Sequence, residues 1–189
     1  AAGRPTGLLR PDGQRVSATS YDAAGRPTAV SDPLGNTVRY GYGPYGLATL
    51  TDALGKVTRF TRNSAGAVVV SAMDGAQIAG STQIASLPQT WQIAGVGDFA
   101  GPGQPGILWR DISNGNLVVS LMNGLTIASS TFLANLPLSW QVVRVADFNG
   151  DGKADILWRN MDTGAVVVSV MDGASIASST LLATVPMNW

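Results

Sequence analysis

Short runs of β-branched and other apolar residues, separated by Gly, Asp and Asn, dominate the pattern of this chain. Near the C-terminus they predict four strands, at Gln141–Phe148, Asp155–Asn160, Ala165–Met171 and Ser175–Thr184. The links Asp162–Gly164 and Asp172-Gly173 suit hairpins, because glycine reaches positive φ without steric cost. Helical periodicity is missing from these runs. The pattern therefore predicts an all-β fold of antiparallel strands.

The same pattern recurs at a fixed interval. Tryptophans repeat 49 residues apart, as Trp91, Trp140 and Trp189 and again as Trp109 and Trp158. The segment from Gly66 matches the second half of this unit, which gives a half unit at 66–90 and units at 91–139 and 140–189. A four-stranded unit of about 40–50 residues has the size of a β-propeller blade, and the tryptophans are interpreted as blade core rather than as a ligand cage. About three such blades are not expected to close alone, since propellers have about four to eight.

Residues 1–62 follow a different repeat. Gly-Arg-Pro-Thr occurs at Gly3–Thr6 and Gly25–Thr28, 22 residues apart. Turn segments recur at Pro11–Gly13, Asp32–Asn36 and Asp52–Lys56, with alternating stretches such as Asn36–Tyr42 between them. These features predict successive antiparallel hairpins, with the tyrosines in sheet packing. Charge also changes here, because residues 1–62 carry +4 and residues 63–189 carry −4. We therefore expect a hairpin segment at 1–62 and a bladed segment at 63–189.

The half unit at 66–90 predicts how the two segments join. Thr51–Gly66 can be laid on the first half of the last unit, so that Lys56 falls on Lys153 and Arg62-Asn63 on Arg159-Asn160. The last hairpin would then supply the missing inner strands of one shared blade at about 47–87. Both terminal blade faces are expected to expose Val, Ile and Trp side chains, which favours either self-association or further repeats of a larger chain.

Composition excludes several functions. The chain has no Cys and no His, and all 12 acidic residues are Asp, so thiolate and imidazole chemistry is excluded. Twelve basic residues balance the acids, which is unlike a nucleic-acid binder. No run of about 18 apolar residues is present, so membrane insertion is not expected. The chain begins with Ala, and we interpret it as a fragment or processed piece whose export signal is unobservable.

One loop has the donor pattern of a calcium site. Asp147, Asn149, Asp151 and Asp155 occupy loop positions 1, 3, 5 and 9, and the Lys153 carbonyl at position 7 can add an oxygen. Calcium takes 6–8 oxygen ligands, so water would complete the shell. Position 12 is Trp158 rather than Glu and no helices flank the loop, so an EF-hand is rejected. The alternative is an unmetallated Asp/Gly turn.

The preceding copy of this loop lacks most of those oxygens. Asp98 persists at position 1, but the equivalents of the other three ligands are Ala100, Pro102 and Gly106. The surrounding strands persist without them, so the blade does not require a metal. We therefore expect one calcium site and no other cofactor.

Two resemblances add to these predictions. The segment Ala146–Asn160, ADFNGDGKADILWRN, resembles the FG-GAP/VCBS repeat family over about residues 66–189. That resemblance implies propeller blades of secreted and surface proteins, many of which bind calcium. The segment Tyr21–Tyr42, YDAAGRPTAVSDPLGNTVRYGY, is similar to the RHS/YD-repeat family over about residues 1–61. This similarity implies β-strand spirals of bacterial polymorphic toxins and large surface proteins.

No catalytic constellation is visible in the sequence. A Ser-x-x-Lys motif, a nucleophile elbow and a phosphate-binding loop are all missing, and Asp32–Gly35 is interpreted as an ordinary repeat turn. The sequence favours a non-enzymatic calcium-binding scaffold or adhesion module of a bacterial secreted or cell-surface protein, with a protein or glycan as ligand. A structural fragment of an RHS-type polymorphic toxin and a carbohydrate-binding propeller are the alternatives.

Overall fold

A computed structural model describes residues 7–9, 15–32 and 34–185, with side chains from residue 18 onward. The described residues form sixteen strands and no helix. The strands are β1 (Gly7–Leu9), β2 (Arg15–Tyr21), β3 (Pro27–Ser31), β4 (Thr37–Gly43), β5 (Gly46–Thr51), β6 (Val57–Arg62), β7 (Ala67–Asp74), β8 (Gln77–Ser86), β9 (Trp91–Gly97), β10 (Gly106–Asp111), β11 (Asn116–Asn123), β12 (Thr126–Asn135), β13 (Trp140–Ala146), β14 (Asp155–Asn160), β15 (Ala165–Asp172) and β16 (Ser175–Thr184). The predicted features at Gly3–Thr6, Pro11–Gly13, Pro33 and Trp189 lie outside the described residues.

The strands form three four-stranded antiparallel blades. Blade 1 is β5–β8, blade 2 is β9–β12 and blade 3 is β13–β16, each paired in chain order. Blade 3 is a sheet of its own, whereas a single parallel bridge between Gly46 and Ile93 joins blade 1 to blade 2. This confirms the predicted all-β fold of propeller-like blades that do not form a closed ring. The four predicted strands of the last unit agree with β13–β16 to within two residues at each end.

The two repeat types share one continuous sheet. Strands β1–β4 add to the inner edge of blade 1 through the β4–β5 pair, and β6 pairs with β7 over the whole register from Val57↔Met73 to Arg62↔Val68. The compositional boundary at residue 62 therefore falls at the hairpin turn between β6 and β7, inside blade 1. The last RHS-like hairpin supplies the inner strands of this blade, as the alignment of Thr51–Gly66 predicts.

A five-residue turn recurs on both sides of that boundary. It has Asp or Asn first and Gly fourth, and it occupies residues 22–26, 52–56 and 63–67; Asp32, Gly35 and Asn36 make the same backbone contacts. In the turn at Asp52, the side-chain Oδ1 accepts hydrogen bonds from the amides of Leu54 and Lys56, and Gly55 has φ +83°. Asn63 binds the amides of Ala65 and Ala67 in the same way. The β6–β7 turn of blade 1 is thus built like the turns of the N-terminal hairpins.

Two apolar clusters hold the blades together. Between blades 1 and 2 lie Leu47, Phe60, Val68, Val70, Ile93, Ile107 and Trp109. Between blades 2 and 3 lie Phe99, Leu108, Leu117, Val119, Ala154, Ile156, Trp158 and Met171. Trp109 and Trp158 are buried, as the prediction of blade core requires, whereas Trp91 and Trp140 are half-buried and pack against the cluster edges.

The two ends of this arc differ, which corrects one expectation. Register places Arg59 and Thr61 of blade 1 where blades 2 and 3 have an Ile and a Trp, and both side chains are exposed. The prediction of a Val/Ile/Trp face is therefore wrong for blade 1, because its inner strands come from the polar N-terminal repeat. At the other end, Phe148, Leu157, Val166 and Val168 are half-buried, while their counterparts 49 residues earlier are fully buried against blade 3.

Candidate metal-binding loop

The predicted calcium loop connects β13 to β14 at the rim of blade 3. It runs from Asp147 to Ala154, and Asp155 opens β14. Gly150 and Gly152 both have φ +84°, the left-handed region that side chains disfavour, so the glycines permit this bend. Gly152 stands at position 6, where calcium loops of this spacing place the glycine of their sharp turn.

Asp147 closes the loop on itself. Its Oδ1 accepts a hydrogen bond from the Gly150 amide at 2.6 Å, and its Oδ2 accepts one from the Gly152 amide at 2.9 Å. The preceding loop has the same contact, because Asp98 Oδ2 accepts a hydrogen bond from the Gly103 amide at 2.8 Å. An aspartate at position 1 is therefore explained in both loops by turn geometry, whether or not a cation binds.

Asn149 and Asp151 form a second local pair. Asn149 Nδ2 donates to Asp151 Oδ2 at 3.1 Å, and Asn149 Oδ1 accepts from the Asp151 amide at 2.9 Å. The amide of Lys153 donates to Asp151 Oδ1, and this bond is the main reason that the pKa of Asp151 lies below its usual value. Both side chains are exposed, so their oxygens remain open to solvent.

The Lys153 side chain reaches Asp172 at the end of β15. Its Nζ contacts Asp172 Oδ1 at 2.5 Å, and this hydrogen bond raises the pKa of Lys153. The lysine carbonyl is the atom that the sequence predicts as a ligand, and the ion pair fixes the ammonium on the neighbouring hairpin instead.

Asp155 is the deepest of the predicted ligands. It is 0% exposed, and its carboxylate accepts hydrogen bonds from the amides of Phe148 (3.0 Å) and Met171 (2.9 Å). Among the residues that the structure describes, Asp155 has no cationic partner. Buried charges in proteins are normally paired or bound to a metal, so this carboxylate is the one that most needs a positive charge.

The preceding loop shows what Asp155 replaces. There Gly106 has no side chain, the Phe99 amide donates to the Gly97 carbonyl, and the Met122 amide donates to the Pro105 carbonyl. In blade 2, neutral backbone oxygens thus accept the hydrogen bonds of the two amides whose counterparts in blade 3 donate to Asp155. The carboxylate is therefore not needed for blade geometry, and sequence alone could not reveal its contact with Met171.

The donor set fits calcium in its chemistry. Four side chains and one carbonyl offer hard oxygens from a single loop, and Asp155 supplies a buried charge without a counter-ion. Within residues 34–185, no three carboxylates converge into a ready cluster, since each carboxylate is turned onto loop or strand amides. Binding would require these side chains to reorient toward a common centre.

Comparisons with known proteins match two parts of the chain. Residues 21–49 match the RHS repeat, and residues 139–171, which contain this loop, match the FG-GAP repeat. The chain carries both repeats. Such repeats are typical of extracellular or surface proteins, and the two matches indicate a β-repeat binding or structural module. In the described part of the chain, no helix is long and apolar enough to cross a membrane.

Other comparisons add little. Among curated proteins, none matches the chain. Among solved structures, the chain is similar to "Dihydro-heme d1 dehydrogenase NirN in complex with DHE", with 11% identity and a TM-score of 0.39 over 93% of the chain. The similarity spans 47% of that protein, about half its length, and it is too weak to carry an argument about function.

Proposed function

We propose that this chain is a non-enzymatic, calcium-binding β-repeat scaffold or adhesion module of a bacterial secreted or cell-surface protein. The observation that carries the calcium site is Asp155, a fully buried carboxylate without a cationic partner beside three exposed Asx side chains. The two repeat types, both typical of extracellular proteins, support the cellular location.

The residues that would hold the ion are Asp147, Asn149, Asp151 and Asp155 through their side chains and Lys153 through its carbonyl. A bound calcium supplies positive charge and fixed oxygen geometry. Asp155 already binds the Met171 amide of β15, so a restrained Asp155 would link the loop to the interior of blade 3. Calcium would then stiffen one blade without taking part in any reaction.

The test is thermal unfolding with and without calcium, on a matched pair of variants. Asp147→Ala and Asp98→Ala each remove one aspartate that holds a glycine amide, but only the first removes a predicted ligand. Calcium should raise the melting temperature of the wild type and of Asp98→Ala, and it should leave Asp147→Ala and Asp151→Ala unchanged. With a dissociation constant on the order of 10⁻⁴–10⁻³ M, calcium at ten times that value stabilises the fold by about 1.4 kcal/mol. An equal calcium response in Asp147→Ala and wild type would refute the site.

An RHS-type toxin fragment is the second candidate, and the RHS match at 21–49 favours it. In that case these repeats would be the structural part of a longer toxin. The sequence of the full gene distinguishes the two. A compact, non-repetitive domain after residue 189 supports the toxin, and an anchor or more 49-residue units support adhesion. The carbohydrate-binding alternative is tested on a glycan array.

We further propose that the apolar end of blade 3 is covered in the working protein, by self-association or by further repeats of a larger chain. Its half-buried residues Phe148, Leu157, Val166 and Val168 support this, because the same positions of blade 2 are fully buried by the next blade.

A further inference from the structure

A cavity lies between the N-terminal strands β3 and β4 and the inner strands of the three blades. Its volume is about 380 Å³, within the range of about 300–1,000 Å³ that is usual for small-molecule sites. Strands β3, β4 and β5 form one wall, and β9 and β13 form the other. None of the predicted ligands of the metal-binding loop lines the cavity.

The lining is cationic and has no acidic residue among the described side chains. It includes three arginines, Arg26, Arg110 and Arg144. Arg26 is neutralised, because its Nε and Nη2 both lie 2.8 Å from Asp22 Oδ2. Arg110 and Arg144 have no such partner, so the cavity wall carries two uncompensated positive charges.

The two arginines without an ion pair are differently placed, and the Arg144 guanidinium lies 5.8 Å from the centre of the Phe148 ring. Arg110 is 7% exposed, and its Nη2 donates to the Pro137 carbonyl at 3.0 Å, while its Nη1 is buried without a partner. Arg144 is half-buried, and its Nε is buried without a partner. No hydrogen bond or ion pair joins Arg144 to any residue that the structure describes. A guanidinium has five N–H donors, so Arg144 has capacity for an anion.

The repeat does not require Arg144. The equivalent position of blade 2, 49 residues earlier, is Gly95, and both residues pair with a leucine of the adjacent strand after the same one-residue bulge. A strand of this kind therefore forms without the arginine. Arg144 also places a charge beside the N-terminal sheet, where Tyr40 and Tyr21 are its electrostatic neighbours, and burial lowers its pKa.

We propose that this cavity binds the carboxylate of a small ring-bearing organic acid, with Arg144 as its anchor. Arginine forks match carboxylates with two parallel hydrogen bonds, and such charge-assisted bonds strengthen where water is scarce. Tyr40, Tyr42 and Trp140 line the same cavity, so a bound ring would meet aromatic side chains there. Tyr42 is already fixed, since its hydroxyl donates to the Pro27 carbonyl at 2.9 Å and Arg26 lies 4.3 Å from its ring centre.

This site deepens the proposed binding function and does not depend on calcium. A sugar acid and an aromatic acid share the chemistry of a ring that carries a carboxylate. We therefore expect the anion to determine binding and the ring to determine which acid binds best.

The experiment is titration calorimetry of the whole chain with glucuronate, benzoate, acetate and glucose, without calcium. Glucuronate or benzoate should bind, glucose should not, and acetate should bind more weakly than the ring-bearing acids. Arg144→Gln should weaken the binding by about tenfold or more, because it removes a charge-assisted fork. Arg39→Gln is the matched control, since it removes the same charge from an exposed position of β4 outside the cavity and should leave affinity unchanged.

Three outcomes would overturn the proposal. They are no binding of either ring-bearing acid, equal binding by wild type and Arg144→Gln, or an equal loss in Arg39→Gln. Folding of Arg144→Gln is checked by its melting temperature, which should match the wild type because Gly95 serves in the same position of blade 2. Since this assay contains no calcium, its failure is separate from any failure of the proposed metal site.

Discussion

A buried tryptophan in each of blades 2 and 3 depends on two serines. Trp158 Nε1 donates to Ser169 Oγ at 3.0 Å, and that hydroxyl lies 2.8 Å from Ser179 Oγ on the outer strand. Trp109, Ser120 and Ser130 repeat the arrangement 49 residues earlier. An indole N–H without a partner is costly inside a protein, so the serine is what allows the tryptophan to be buried.

Blade 1 offers a natural comparison, because Ser71 and Ser81 are 3.0 Å apart but Thr61 replaces the tryptophan. Ser71→Ala should therefore cost only the serine pair, about 0.5–1.5 kcal/mol. Ser169→Ala also leaves the Trp158 indole without an acceptor, which should add about 1–3 kcal/mol. The free energy of unfolding in urea measures both. Equal losses in the two variants would show that the indole bond contributes nothing.

At the residue scale, the sequence reveals which residues recur in each repeat more readily than which residues of different repeats lie close together. The 49-residue spacing correctly marks Trp109 and Trp158 as core. It does not mark Arg144, because no motif surrounds it and its neighbour Tyr40 belongs to another repeat. The signal that could have found it is the substitution of an arginine for Gly95 in the aligned unit, since a charge at a glycine position is not needed by the blade.

An arginine near the end of the second strand of blades 1 and 2 holds the connection to the next blade. Arg62 donates through Nη2 to the carbonyls of Leu87 (2.7 Å) and Pro88 (2.9 Å), and through Nη1 to that of Trp91. Arg110 reaches Pro137 in the next connection, 49 residues after Pro88. The amides of Trp91 and Trp140 also donate to the Pro88 and Pro137 carbonyls, and a guanidinium, with five N–H donors, can serve several carbonyls of such a segment at once.

We expect Arg62→Ala to loosen the connection from blade 1 to blade 2. Loss of these charge-assisted bonds should destabilise the fold by about 1.5–3 kcal/mol and speed amide hydrogen exchange at residues 87–91. Arg59→Ala is the control, because Arg59 is exposed on the same strand and its loss should stay within about 0.5 kcal/mol. If exchange at residues 87–91 is the same in both variants, Arg62 does not hold the connection.

At the element scale, most strands are predictable from the sequence. Runs such as Ala165–Asp172 are β-branched and end at Asp-Gly, so local chemistry determines both the strand and its turn. The shared blade is also predictable, because Arg62-Asn63 align with Arg159-Asn160. The contact between β5 and β9 could not be predicted from the sequence, since it depends on a single parallel bridge at Gly46. A Cβ at Gly46 would lie 2.4 Å from the Ile93 carbonyl oxygen.

At the scale of the whole molecule, the arc of blades has one polar and one apolar end. Blade 3 packs closely against blade 2 because Gly95 and Gly97 have no side chains. A Cβ at Gly95 would lie 2.5 Å from Val145, and a Cβ at Gly97 would lie 2.6 Å from Ala154. The corresponding residues of blade 3 are Arg144 and Ala146. A further blade placed on blade 3 in the same geometry would therefore meet the side chains of Arg144 and Ala146, where blade 3 meets only glycines of blade 2.

The last prediction concerns that apolar end. We expect the chain to self-associate through Leu157 and Val168, so that its mass in light scattering rises with concentration up to tens of micromolar in low salt. Val168→Lys should shift the chain to monomer, because a lysine cannot be buried there without losing its hydration. Thr61→Lys adds the same charge to the polar end of blade 1 and should leave the association unchanged. A wild type that stays monomeric over the whole range, or an equal effect of the two substitutions, would refute association through blade 3.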